Sequence, residues 1–117
     1  MQRDPRAFLW DVRRAADAIA RYIGHPDREF YLADDMLRSA VERQFEIIGE
    51  ALNQLARLEP NIAARIPELG SAVAFRNILI HGYTQMNSLI VWDTIAVHLP
   101  ALRERMVALL AELDAAP

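Results

Sequence analysis

Cysteine is missing from this chain, which excludes disulfides and every thiolate-based metal site. Lysine is missing too: all thirteen basic residues are arginines. Arginine suits bidentate phosphate contacts, but on most surfaces it is simply a solvated cation. Histidine is scarce. His25, His81 and His98 stand far apart with no HxxxH or HExxH pattern, so we expect neither metal nor cofactor. No apolar run approaches the roughly 20 residues of a membrane span, and the opening MQRDPRAFLW lacks a signal-peptide pattern; a cytoplasmic, non-membrane protein is expected. Excess positive charge is also lacking. A formal net charge of −3 argues against bulk electrostatic binding of nucleic acid, leaving only the local distribution of charge.

What is present points to helices. The 117 residues are 53% hydrophobic, much of it Ala and Leu, and their number suits one domain spanning 1–117. Asp4 is a candidate cap with Pro5 at the first helical position; Phe8, Val12, Ala15, Ile19 and Ile23 then recur at helical steps until Gly24 and Pro26. Asp27 to Asp35 reads as a connector whose Phe30 and Tyr31 tuck onto the core. Asp34 is placed to cap a long second helix, with Leu37, Val41, Gln44 or Phe45, Ile48, Leu52 and Leu55 on its apolar face and Pro60 ending it. NIAARIPELGS reads as one short helical turn, after which Ser71 is the expected cap of a third main helix that weakens at Gly82. Asn87 or Ser88 caps a fourth, running through Val91, Ile95, Leu99, Leu102, Met106, Leu109 and Leu113, with Pro100 set to kink or divide it. The expected fold is all-α: an up-and-down bundle of four main helices plus a short helical turn.

The chemistry concentrates in FRNILIHGY, Phe75 to Tyr83. Arg76 and His81 are five residues apart, about 140° around an unbroken helix, and so on different faces. Two arrangements bring them together. Either the helix ends or distorts around Ile80 to Gly82, or one chain's His meets the other's Arg across a symmetric dimer. Such a pair is a minimal kit for cutting RNA without a metal. One group takes the proton of the ribose 2′-hydroxyl, the guanidinium stabilises the pentavalent phosphate, and an acid protonates the leaving 5′-oxygen. Asn77 adds a polar group and Tyr83 stands two residues beyond His81. The ordinary reading of the same residues is a histidine interacting with a helix C-terminus and a solvated asparagine.

The longer context resembles a known family. FRNILIHGY resembles the Arg-x4-His-x-Tyr signature of HEPN-domain ribonucleases, and specifically of HepT-type toxins. AVERQFEIIGEAL, IPELGSAVAFRN and VWDTIAVHLPAL also fit that family in order and spacing, so the likeness runs from about Phe8 to Leu110. The resemblance implies an all-α, two-fold homodimer with Arg76 and His81 as the catalytic pair of a metal-independent RNA endonuclease, lining an interfacial cleft. It implies a toxin neutralised by a cognate minimal (MNT-type) nucleotidyltransferase that moves AMP from ATP onto Tyr83, with Asn77 an accessory group. The alternative from another class is a non-catalytic nucleotide-binding module that partners a two-component nucleotidyltransferase.

Three other places bear on the site. Glu46 and Glu50, one turn apart, can face the cleft and orient Arg76 or His81, although carboxylates on long helices are ordinarily solvated. Gly49 between them costs about 1 kcal/mol in a helix interior, which suggests the close approach of another helix. Trp10 and Trp92 read as core or interface anchors, with stacking on a base as the alternative use.

Overall fold

Capping side chains set where the helices begin. The computed structural model describes residues 3–24, 27–81 and 87–115, and among these it consists of α-helices and one π-helical turn, with no strand. Helix α1 (Pro5–Ile23) starts as expected: the Asp4 carboxylate accepts from the Arg6 amide at 2.9 Å, and Pro5, which has no amide hydrogen to leave unpaired, follows it. It ends on Gly24, whose φ of +65° is the left-handed conformation that a side chain disfavours.

The segment read as a connector is in part helical. Asp27 accepts from the Phe30 amide at 3.2 Å and caps the six-residue α2 (Arg28–Ala33). Neighbours on a helix point about 100° apart, so only one of the two aromatics reaches the core. Tyr31 is completely buried, its ring centroid 5.4 Å from that of Trp92, whereas Phe30 remains 57% exposed.

Asp34 then caps α3 (Asp35–Leu58), accepting from the Leu37 amide at 3.0 Å. Its buried face is Val41, Phe45, Ile48, Leu52 and Leu55, so Phe45 rather than Gln44 takes the shared position. Each of these side chains contributes roughly 1.5–3 kcal/mol by leaving water. Helix α3 is the central element, with α1 packed along one side and α5 along another. The short α4 (Pro60–Ala63) begins on Pro60 itself.

Helix α5 (Leu69–His81) begins two residues before Ser71, which is exposed within it. The Leu69 amide donates to the Ile66 carbonyl at 3.1 Å and the Ala72 amide to the Glu68 carbonyl at 3.0 Å, so the first helical bond is formed upstream of Ser71 and the serine is not a cap. The helix runs as α through His81. Gly82, where weakening was expected, lies outside the described residues.

Asn87 caps α6 (Ser88–Asp93), accepting from the Leu89 amide at 2.9 Å. The fourth helical pattern is divided, as Pro100 required. A π-helical turn, Thr94–His98, separates α6 from α7 (Leu99–Ala115). Proline has no amide hydrogen and its ring crowds the carbonyl four residues back, and the wider turn just before it relieves that clash. Leu102, Met106, Leu109 and Leu110 carry α7 into the core, and Asp17–Arg103 (2.5 Å) and Arg6–Asp114 (3.1 Å) tie its surface to α1. No helix among the described residues is long and apolar enough to cross a membrane.

Candidate active site around Arg76

The contact between α3 and α5 is built on Gly49. A Cβ there would collide with the Cβ of Arg76 and come within 2.7 Å of its Cγ and 3.1 Å of the Ala72 carbonyl oxygen. Hydrogen at this one position lets the stem of Arg76 lie directly on the backbone of α3, which is the close approach expected of Gly49. The charged end is then held by side chains. Arg76 Nη2 donates to Glu50 Oε2 at 2.7 Å, and Nη1 donates to Asn77 Oδ1 at 3.0 Å. Glu50 is itself fixed one turn further on, where Gln54 Nε2 donates to its other oxygen at 2.8 Å. Arg76 Nε is buried and makes no hydrogen bond among the described residues. The guanidinium is therefore fixed in orientation before any anion arrives.

Glu46 behaves differently from Glu50. It lies 3.9 Å from Arg43 and does not reach Arg76, but it shares with Glu50 a small polar pocket of about 140 Å³ that Arg3, Asp11, Arg43 and Gln54 also line. Asn77 is exposed and bonded to Arg76. His81, the last described residue of α5, is exposed. Because the helix is regular to that point, Arg76 faces α3 while His81 stands about 140° round and roughly 7.5 Å along the axis. Ile80 and His81 are both regular α-helix, and Gly82, on which the rest of the first route falls, lies outside the described residues. Tyr83 lies outside the described residues.

The outward face of α5 has an unusual make-up. Gly70, Ala74, Asn77, Ile78 and His81 are all exposed along it, and Ile78 is 55% exposed. Ile80, Leu89, Ile90 and Val97 add further exposed apolar side chains on α5, α6 and the π-helical turn. A larger, mainly apolar hollow of about 300 Å³ lies between α3, α5 and α7, lined by Phe45, Phe75, Leu99 and Leu102 with His98 beside them; neither Arg76 nor His81 lines it. Among the described residues no group of three His, Asp or Glu side chains is gathered as a metal site would need.

Two features of the site went unread in the sequence. Gln54 as the brace of Glu50 carried a signal, the i, i+4 spacing of an amide and a carboxylate on one helix. The pairing of Arg3 and Asp11 at 2.8 Å beside Arg43 carried none, since it depends on how α1 crosses α3.

An all-α bundle whose Arg-x4-His helix packs on a Glu-x-Ile-Gly-Glu helix is the HEPN type of domain. The chain belongs to the HepT-like ribonuclease family, whose profile, described as "Ribonuclease HepT-like", matches residues 12–109. It is 31% identical over 88% of its length to "Probable ribonuclease HepT" of Thermococcus cleftensis, covering 93% of that protein. It is 29% identical over 90% of its length to "Putative RNase MJ1380" of Methanocaldococcus jannaschii, covering 95% of that protein. "Putative RNase TTE0752" of Caldanaerobacter subterraneus is 28% identical over 91% of the chain and 94% of its own length. No solved structure matches at a comparable level.

Proposed function

We propose that the protein is a metal-independent RNA endonuclease that works as a homodimer, with Arg76 of one chain and His81 of the other meeting at a two-fold cleft. The observation that supports this best is the position of the two side chains on α5. Arg76 is anchored over Gly49 and braced by Glu50, while His81 is exposed on a different face of the same regular helix. A second copy placed against the exposed, partly apolar face of α5 would cover Ile78 and His81, and the Arg76 guanidinium reaches the edge of that face where it is bonded to Asn77.

In the cleft, the imidazole takes the proton of the ribose 2′-hydroxyl as that oxygen attacks phosphorus. The guanidinium carries the added negative charge, the P–O5′ bond breaks, and a proton passes to the leaving 5′-oxygen. The products are a 2′,3′-cyclic phosphate and a 5′-hydroxyl. DNA has no 2′-hydroxyl and is spared.

The same reading makes the protein the cytoplasmic toxin of a toxin–antitoxin pair. The antitoxin is a minimal nucleotidyltransferase that silences the site by AMP transfer: the Tyr83 oxygen attacks the α-phosphorus of ATP, pyrophosphate leaves, and the phenolic proton is lost. The added phosphate and nucleoside block the cleft and compete for Arg76, with no refolding needed.

The test is digestion of total RNA by the purified chain in the presence of a chelator. The parent cleaves and His81→Ala, with unchanged helicity, does not; equal digestion by that variant ends the assignment. A parent chain that binds nucleotide and leaves RNA whole would favour the non-catalytic partner module instead.

A further inference from the structure

The outward face of α1 differs in charge from the chain that carries it. Its inward positions Phe8, Val12, Ala15 and Ile19 are all buried. Opposite them, at three-, four- and seven-residue steps, stand Trp10, Arg13, Arg14, Asp17 and Arg21. Trp10 is 42% exposed, and the Arg13 guanidinium carbon lies 5.0 Å from its ring centroid. Little of this positive charge is neutralised within the fold. Arg13 and Arg21 have no ion-pair partner among the described residues, and the carboxylate nearest Arg14 is Asp11 at 3.9 Å, which Arg3 already holds at 2.8 Å. Asp17, the one acid on this face, is taken by Arg103 at 2.5 Å.

We propose that this face of α1 is a docking ridge for single-stranded RNA, with Trp10 stacked on a base and Arg13, Arg14 and Arg21 holding the phosphates. The inference rests on the ribonuclease reading of the Arg76 site and names where its substrate is gripped. A half-exposed indole forgoes part of its burial, and a stacked base restores it. Cations flanking an aromatic platform follow a phosphate chain, and the salt-sensitive attraction comes from the local stripe, so a net charge of −3 does not oppose it. An acidic polypeptide would satisfy the arginines but has no flat group for the indole. The helix that carries the ridge also borders the site: Asp11 of α1, with Arg3 just before the helix, lines the small polar pocket together with Arg43 and Glu50, and Glu50 holds Arg76.

The experiment is fluorescence anisotropy with a single-stranded 2′-O-methyl oligonucleotide, which cannot be cut because its internal nucleophile is blocked. Trp10→Ala should weaken binding at least about fivefold. The triple variant R13Q/R14Q/R21Q should lower the slope of log affinity against log salt by about 2, at roughly 0.7 per phosphate contact on a single strand. Arg57→Gln, which removes the same kind of charge from the exposed end of α3, should stay within twofold, and all variants should keep parental helicity. Equal binding by every variant, no binding by the parent chain, or displacement by polyglutamate as readily as by polyuridylate overturns the ridge. The two readings fail separately. Ridge-dependent binding without RNA cleavage by the parent would sink the ribonuclease and leave the ridge, whereas cleavage with an unchanged KM in Trp10→Ala would sink the ridge alone.

Discussion

Gly49 and Arg76 occupy one shared volume: the space that a side chain at 49 would fill is taken by the Cβ and Cγ of Arg76, with the Ala72 carbonyl 3.1 Å from the missing Cβ. The contact joins the packing of α3 on α5 to the aim of the guanidinium. A glycine that weakens one helix thereby fixes a cation on the next.

Gly49→Ala should therefore damage activity more than its size suggests. Alanine favours the helix by about 1 kcal/mol, but the added methyl meets backbone as well as side chain, and such overpacking costs about 1–3 kcal/mol. We expect a net loss of stability of up to about 2 kcal/mol by denaturant titration. RNA cleavage should fall about a hundredfold, because the guanidinium is displaced from its setting. Full activity in the variant would show that the aim of Arg76 does not depend on Gly49.

Glu50→Gln separates orientation from folding. The Arg76–Glu50 pair is 2.7 Å long and its members are 23% and 44% exposed, so solvent screens it and its removal should cost less than about 1 kcal/mol of stability. Arg76 then loses its fixed anion while Asn77 remains. On the proposed mechanism, in which the cation acts on charge that develops in the transition state, cleavage should fall tenfold or more with most of the loss in kcat. A loss confined to KM would make Glu50 a substrate-binding group instead.

Much of the fold was legible because its signals are local. Asp4, Asp34 and Asn87 cap helices through contacts two or three residues away, and Pro100 divides a helix by its own ring. The start of α5 was misread because the chain already turns at Ile66 to Leu69, and the helix is under way before it reaches Ser71. The same limit applies to Phe30 and Tyr31, where α2's rotation against the bundle decides which ring is buried. At the site, Gly49 announced a close approach but could not say to which residue. The face of α5 that carries His81 is left uncovered by its own chain, so no pattern within the chain states what lies against it.

Tyr31 supplies a test of the core with a pH signature. Its hydroxyl is buried and makes no hydrogen bond among the described residues, and burial, with Glu42 adding and Arg38 opposing, pushes the phenol up to about 12. Between pH 10 and 12 the unfolded chain has lost a proton that the folded chain keeps, so stability is complete below pH 10 and drains away as pH rises through that window. Tyr31→Phe should gain about 1 kcal/mol at pH 7 by removing an unpaired hydroxyl, and its advantage should widen above pH 10. A loss of stability at pH 7, read from denaturant midpoints, would mean that the hydroxyl has a partner.

The proposed function makes Arg76→Ala and His81→Ala each inactive, and mixing the two decides whether the site is shared between chains. Arg76→Ala retains its histidine and His81→Ala retains its arginine. If each cleft takes Arg76 from one protomer and His81 from the other, a mixed dimer contains one cleft with both groups and one with neither. Random exchange makes half the dimers mixed, so unfolding and refolding an equal mixture should restore about a quarter of parental cleavage. If both groups must come from a single chain, every site in every dimer lacks one of them and the mixture stays inactive. Ile78→Glu, which puts charge on the exposed face of α5, should abolish the rescue while leaving helicity intact, because it separates the protomers without touching either reacting group. Rescue that persists at the same level in Ile78→Glu would move the two-fold contact away from that face of α5.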